Sequence, residues 1–175
     1  MRRFMFIATI MLALAGSLAA QDVEVFMGYS FAKIETLGPD RENLHGWNAA
    51  VEAKVAPFLG LVADFSGHYG DITIIPPAVD SSINTHHVLF GPRVNLPGPV
   101  RPFVHALFGA ARGNAGVFGG TESEWAFGMA VGGGVDANFT DRVAWRIIQG
   151  DYLMNRFFDR TNNNFRLSSG LVIRF

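Results

Sequence analysis

The 175-residue chain contains no cysteine, which excludes a disulfide framework, a thiolate nucleophile and a cysteine metal site. Charge is also scarce, since 17% of the residues are Asp, Glu, Lys or Arg whereas 49% are hydrophobic. After the first 20 residues, no apolar run approaches the 18 residues that a membrane helix needs. What remains is an apolar chain rich in glycine and phenylalanine, with 20 Gly and 16 Phe.

The N-terminal stretch MRRFMFIATIMLALAGSLAAQ has the features of a secretory signal peptide. Arg2 and Arg3 form a basic start, an apolar run covers residues 4–15, and small residues follow. We therefore predict a signal peptide over residues 1–20, cleaved after Ala19 or Ala20, and an exported domain over residues 21–175. An uncleaved anchor is the alternative, but the apolar run is shorter than the roughly 20 residues of a spanning helix.

The charge of the exported domain narrows the choice of partner. Without Arg2 and Arg3 the chain keeps 12 basic and 15 acidic residues, a net charge of −3. A nucleic-acid partner requires a clustered basic face, so none is expected. An exported, apolar chain without a membrane helix is either a well-packed soluble β protein or a barrel whose outside faces lipid.

Eight segments alternate apolar and polar residues with the period of two that is typical of strands. In the last of them, Leu171, Ile173 and Phe175 share one parity, and Arg166 and Arg174 share the other. The predicted strands cover residues 22–33, 46–56, 61–69, 87–95, 101–111, 125–138, 142–154 and about 164–175. The seventh changes phase between Arg146 and Asp151, and a β-bulge near Ile147–Ile148 would bring both inside.

The connections between these segments alternate in length. Residues 35–45, 70–84, 113–124 and 155–164 form long connections, and residues 57–60, 96–99 and 139–142 form short ones. This pattern predicts an all-β fold: an eight-stranded, antiparallel, up-and-down transmembrane β-barrel with short periplasmic turns and long extracellular loops. A water-soluble barrel of the lipocalin type also has eight strands, but it would place its apolar parity inside.

The distribution of charge and bulk favours an apolar outside. The charged residues collect on the parity that also carries most of the small residues: Glu24, Glu52, Lys54, Asp64, Arg93, Arg101, Asp136 and Arg146. The interior of an eight-stranded barrel is just wide enough for side chains to fill, so the bulky parity suits lipid better. Because a buried charge is costly unless it is paired, these residues are expected to form a lumen network that closes the barrel.

Aromatic residues are expected at two levels of this barrel, where the membrane meets water on either side. The outer belt comprises Tyr29, Phe31, Trp47, Tyr69 and Trp125, and the periplasmic belt comprises Phe58, Phe139 and Trp145.

With these features the chain resembles the small eight-stranded outer-membrane barrels of the OmpA/OmpX type. The resemblance rests on the signal peptide, the eight strands over residues 22–175, the hairpin FGPRVNLPGPVRPFVHALFGAARG, the segment QGDYL and the C-terminal aromatic residue. It implies a Gram-negative outer membrane, with lipid and lipopolysaccharide around the barrel. Members are folded by an assembly machinery that reads a last strand ending in Phe or Trp, and Leu171, Ile173 and Phe175 match that signal.

Three functions remain open. The first is a structural or surface role without enzymatic activity, and the second is adhesion to an unknown ligand through the loops at 71–83 and 154–163. The third is a lipid-A-directed enzyme, for which Asp64, Ser66 and His68 offer a nucleophile, a base and a carboxylate at i, i+2 spacing. In the predicted phasing the side chains of Asp64, Ser66 and His68 all point inward, which favours a hydrogen-bond ladder in the lumen. No metal-ligand spacing or phosphate-binding loop is present, so no cofactor is expected.

Overall fold

The computed structural model describes residues 22–35, 41–74, 79–117, 120–157 and 160–175, so the predicted signal peptide lies outside the described residues. Eight strands form a single closed barrel in sequence order, which confirms the predicted fold. They are β1 Val23–Glu35, β2 Arg41–Ala56, β3 Leu59–Ile74, β4 Val79–Asn95, β5 Val100–Val117, β6 Gly120–Asn138, β7 Val143–Phe157 and β8 Arg160–Arg174.

All neighbouring strands are antiparallel, and β1 pairs with both β2 and β8. The pairing of β1 with β8 closes the sheet, so it leaves no open sheet edge. Gly28 lies opposite Gly170 at this seam. No helix in the described ranges is long and apolar enough to cross a membrane.

Burial alternates along each strand as the sequence predicts. On β1, Glu24, Phe26 and Ser30 are buried, whereas Met27 and Tyr29 between them are 66% and 56% exposed. Most bulky apolar residues therefore point outward, and most of the charges point into the lumen. This polarity suits a barrel in lipid and is the reverse of a lipocalin-type barrel.

The predicted β-bulge in β7 is confirmed. Arg146 pairs with Gly170 and Gln149 pairs with Ser168, so three steps along β7 match two along β8. Ile147 and Ile148 are consequently both exposed, and the strand changes phase between them. Arg146 and Asp151, which have opposite parity in the sequence, are both buried in the lumen.

The predicted strand ends on the loop side are wrong. The β3–β4 ladder continues from Gly70 opposite Ile83 to Ile74 opposite Val79, and β7 and β8 extend to Phe157 and from Arg160. The ranges 71–83 and 154–163, predicted as loops, are therefore mostly strand. The prediction followed hydrophobic alternation, whereas backbone hydrogen bonds continue the ladder where alternation is lost. The side chains of residues 71–82 and 156–161 lie outside the described residues.

Apolar side chains share the lumen with the charged ones. One cluster takes residues from all eight strands: Phe26, Ala50, Val62, Leu89, Leu107, Ala130, Ala144, Leu153 and Val172. A second cluster, Ala32, Ile34 and Leu44 with Ile83 packed against it, lies nearer the outer strand ends. The sequence pattern predicted the charges in the lumen but not this apolar filling.

Candidate functional site: the lumen network and the outer surface

Arg166 on β8 lies at the centre of the buried polar network. Its Nη1 donates to Asp64 Oδ1 at 2.8 Å and to Ser66 Oγ at 3.0 Å. Its Nε donates to Asp151 Oδ2 at 2.8 Å. The side chains of Arg166, Asp64 and Asp151 are fully buried, so one guanidinium ties together β3, β7 and β8.

His105 extends the network from Asp151 to β4. Its Nε2 lies 2.7 Å from Asp151 Oδ1, and its Nδ1 lies 3.3 Å from Arg93 Nη2. A guanidinium can only donate, so Nδ1 accepts and Nε2–H donates to the carboxylate, which defines a neutral imidazole. Arg93 also donates from Nη1 to Glu52 Oε2 at 3.0 Å, and Asn95 donates to the other oxygen of Glu52.

Arg146 joins the same network from the other side. It forms a two-pronged bond with Asp136, from Nε to Oδ1 at 2.8 Å and from Nη2 to Oδ2 at 3.1 Å. Its Nη1 donates to Gln149 Oε1 at 2.7 Å, and Gln149 in turn donates to Asp151 Oδ2 at 2.8 Å. The guanidinium carbon lies 4.3 Å from the ring centre of Phe26, so the charge is also packed against an aromatic face.

The charges in this connected set nearly cancel. The carboxylates are Glu52, Asp64, Asp136 and Asp151, and the guanidiniums are Arg93, Arg146 and Arg166. With His105 neutral, the set carries one net negative charge. Because each carboxylate touches at least one guanidinium, removing any one arginine would leave a buried carboxylate short of its partner.

Glu24 forms a second charge cluster at the end of the barrel that carries the short turns. Its Oε1 lies 3.0 Å from Lys54 Nζ, 2.8 Å from Arg101 Nη1 and 3.1 Å from Arg174 Nε. Lys54 also approaches Asp22, at 3.7 Å. The eight predicted lumen residues therefore divide between two clusters, with Glu24, Lys54 and Arg101 here and the other five in the central network.

The predicted network did not include the residues that connect it, namely Arg166, Asp151, Gln149 and His105, although the predicted bulge already placed Asp151 inside the barrel. Arg166 and His105 share the parity of the predicted lumen residues, and that signal could have placed them. Asp151 and Gln149 follow the bulge at Ile147–Ile148, so the phase change predicted there was the signal that could have added both to the network.

Glycines on the lumen face make room for the network. A Cβ on Gly60 would lie 2.1 Å from Glu52 Oε1, and one on Gly132 would lie 2.2 Å from Asp151 Oδ1. Any side chain at these two positions would collide with a paired carboxylate. The predicted enrichment of small residues on this face therefore has a direct steric reason.

Asp64, Ser66 and His68 do not form a catalytic arrangement. Ser66 Oγ accepts from Arg166, and His68 Nε2 is bonded to Ser30 Oγ at 2.8 Å rather than to Ser66. All three side chains are buried, so neither the required hydrogen bond nor access for substrate is present. Among the residues that the structure describes, no group of three or more His, Asp or Glu is placed to hold a metal ion.

The predicted belt residues all lie on the outside of the barrel. Phe31 is half-buried against His45, with ring centres 5.5 Å apart. The remaining seven are exposed: Tyr29, Trp47, Tyr69, Trp125, Phe58, Phe139 and Trp145. Phe58 and Phe139 lie in the short turns β2–β3 and β6–β7, and Trp125 lies toward the opposite end of β6.

The C-terminal residues end the last strand at the barrel seam. Leu171 and Ile173 face outward, and Phe175 is 78% exposed. The backbone N–H of Phe175 donates to Val23 O at 2.9 Å, so the last residue is still paired with β1. Phe175 is thus both paired through its backbone and exposed through its side chain.

Comparison with known proteins agrees with this architecture. The family model for the outer membrane protein beta-barrel domain matches residues 4–175. None of the curated proteins compared with the chain matches it.

Solved structures of small barrels share the fold. The attachment invasion locus protein Ail of Yersinia pestis is 20% identical with a TM-score of 0.63, and the match covers 87% of this chain and 99% of Ail. Neisserial surface protein A is 15% identical with a TM-score of 0.67, covering 87% and 97%. OprG of Pseudomonas aeruginosa is 8% identical with a TM-score of 0.55, covering 89% and 96%. Another structure of Ail is a complex with the heparin analogue sucrose octasulfate.

Proposed function

The chain belongs to the outer membrane protein beta-barrel domain family, and on that premise we propose a non-enzymatic, structural role in the outer membrane. In this proposal an N-terminal signal peptide exports the chain, and the barrel assembly machinery inserts it. The barrel spans the lipid bilayer with its lumen closed and stabilises the envelope mechanically.

The filled lumen is the observation that supports this proposal. Buried ion pairs and two apolar clusters occupy the interior, with Arg93, Arg146 and Arg166 among the largest fully buried side chains. A solute path would require several paired charges to separate in a region that excludes water, at a cost of several kcal/mol for each ion. Such an interior is suited to holding eight strands together and poorly suited to transport or to catalysis.

A strain lacking the protein tests this role directly. We expect such cells to release periplasmic marker enzymes and to lose resistance to detergent, and a plasmid-borne copy to restore both. Membrane fractionation with gel migration before and after boiling shows in parallel whether the restored protein is a folded outer-membrane barrel. An unchanged envelope in the absence of the protein would contradict the structural role.

The enzymatic alternative is tested with the same strain. Copies carrying Ser66→Ala or His68→Ala should restore the envelope as well as the unmodified copy, because neither side chain is available to a substrate. The lipid A of these strains is compared by mass spectrometry. A lipid A modification that appears with the unmodified copy and disappears with either variant would show that the barrel is an enzyme.

Adhesion through the outer hairpins is the second candidate. Its support is the likeness to Ail, an attachment protein by name, which has been solved with a heparin analogue bound. The ligand would contact the outer ends of β3 and β4 and of β7 and β8, in the ranges 71–83 and 154–163. At 20% sequence identity the likeness to Ail supports only a shared fold, so adhesion has to be tested by a binding measurement.

The β3–β4 hairpin can be shortened without changing the register of the barrel. Ile72 lies opposite Ser81, so deleting residues 72–81 removes matched positions from both strands. Whole cells carrying the shortened protein are then tested for binding to heparin-coated surfaces. Reduced binding with an unchanged amount of folded barrel supports adhesion, and equal binding excludes this hairpin.

A further inference from the structure

The outward face of the barrel carries charge at one end only. Described side chains on outward strand positions are apolar or uncharged over most of the strand length. The exceptions are Lys33 and Arg112, both basic and both toward the outer strand ends. Two outward histidines, His45 and His86, lie in the same zone, and together these four residues are called the basic arc.

Strand pairing brings the members of the arc together. His86 on β4 lies directly opposite Arg112 on β5, and Arg112 lies directly opposite Trp125 on β6. The Arg112 guanidinium carbon is 5.6 Å from the centre of the Trp125 ring. On the other side, Tyr69 Oη and His86 Nε2 are hydrogen-bonded at 3.2 Å. The His86 imidazole and the Arg112 guanidinium are therefore held side by side, with Tyr69 on one side and Trp125 on the other.

The guanidinium charge of Arg112 is not compensated by the described side chains around it. Arg112 Nε is covered but has no hydrogen-bond partner. Among the described side chains, no carboxylate shares the outward face of the strands with Arg112. An anion from outside the protein can supply both the counter-charge and a hydrogen-bond acceptor for Arg112.

The position of the pair indicates where that anion belongs. Val88 and Phe108 follow on the same outward face toward the membrane, and Phe108 is exposed. Tyrosine and tryptophan mark the boundary between hydrocarbon and headgroups. An arginine at this depth costs little, unlike one at the midplane, and it faces lipid phosphate. Arginine binds phosphate through its planar, two-pronged donor set.

We propose that His86 and Arg112, flanked by Tyr69 and Trp125, bind a phosphate of lipid A in the outer leaflet. This inference rests on the proposed orientation, with the outer strand ends outside the cell. His45 and Lys33 continue the arc across β2 and β1, at about 4.8 Å per strand. An arc that spans five strands suits a headgroup with two phosphates better than a phospholipid with one.

The test uses the refolded full barrel in detergent micelles, with bound lipid counted by native mass spectrometry. Three lipids are compared: lipid A with both phosphates, lipid A with both phosphates removed, and phosphatidylglycerol. Arg112→Gln removes the proposed phosphate ligand, and Arg142→Gln removes an exposed cation in the β6–β7 turn at the opposite end. A band that shifts on boiling establishes that each variant is folded.

Phosphorylated lipid A should be retained by the unmodified barrel and by Arg142→Gln, and about tenfold less by Arg112→Gln, the loss of one charge-assisted contact. Dephosphorylated lipid A and phosphatidylglycerol should be retained weakly by all three. Equal retention by Arg112→Gln, or of dephosphorylated lipid A, would overturn the phosphate site. Equal retention of phosphatidylglycerol would overturn its assignment to lipid A. Either result on a folded barrel leaves the structural role unaffected, because that role is measured in cells.

Discussion

Arg166 and Asp64 are separated by 102 positions in the chain, yet Nη1 of the one lies 2.8 Å from Oδ1 of the other. The bond crosses the lumen from β8 to β3, two strands that are not neighbours in the barrel. It therefore holds the barrel together independently of the backbone ladders. Since Arg166 also binds Asp151, both carboxylates depend on a single cation.

Replacing Arg166 by Gln should lower the free energy of unfolding by about 3–5 kcal/mol, because two buried carboxylates lose their shared partner. Urea unfolding of the refolded barrel in detergent micelles measures the change. Arg142→Gln, at an exposed turn position, serves as the matched control and should stay within about 0.5 kcal/mol. Similar values for the two variants would mean that the central network adds little to stability.

Gly132→Ala should destabilise the barrel by about 1–3 kcal/mol through overpacking. The added Cβ would lie 2.2 Å from Asp151 Oδ1 and 2.2 Å from Gly150 O, and the backbone atom cannot move away. Gly150→Ala is the control on the neighbouring strand, because its Cβ would meet nothing closer than 3.7 Å. The same urea titration should show a clear loss for the first variant and little change for the second.

The cost of Val104→Arg should show whether the outward face of the barrel contacts lipid or water. Val104 is 61% exposed and lies opposite Val94 within the apolar band. A cation there should cost about 2–4 kcal/mol in lipid vesicles, whereas Phe139→Arg, in a periplasmic-side turn, should cost about 0–1 kcal/mol. Unfolding in vesicles measures both, and equal costs would indicate that this face meets water.

Deleting Phe175 should reduce the amount of barrel assembled in cells more than the stability of barrels already formed. The residue adds one backbone bond to Val23 and an exposed ring, so it contributes little to packing. Heat-modifiable protein in the outer-membrane fraction reports assembly, and urea unfolding of purified barrels reports stability. Phe139→Ala removes another exposed ring at the same end and should assemble normally. If the truncated chain assembles as well as this control, the C-terminal aromatic is no assembly signal.

The alternation of apolar and polar residues was sufficient to predict eight strands and the side of each that faces the lumen. It also located the bulge, because Arg146 and Asp151 have opposite parity on one strand and both belong inside. These are local properties: successive side chains of a strand point to opposite faces whatever the strand pairs with. Alternation did not reveal where the strands end beyond the membrane, since backbone pairing continues there without an apolar face.

The partners of the lumen charges were decided only by the closed barrel. The sequence places Glu24, Glu52 and Arg93 on the lumen face, but it does not say that Arg93 reaches Glu52 while Glu24 binds Arg101. Parity fixes a direction for each side chain, whereas a partner depends on register, strand tilt and the closure of β8 onto β1. The sequence by itself therefore determined the inside and outside of this barrel. The connections across its lumen, like the meeting of His86 and Arg112 on its surface, belong to the tertiary structure.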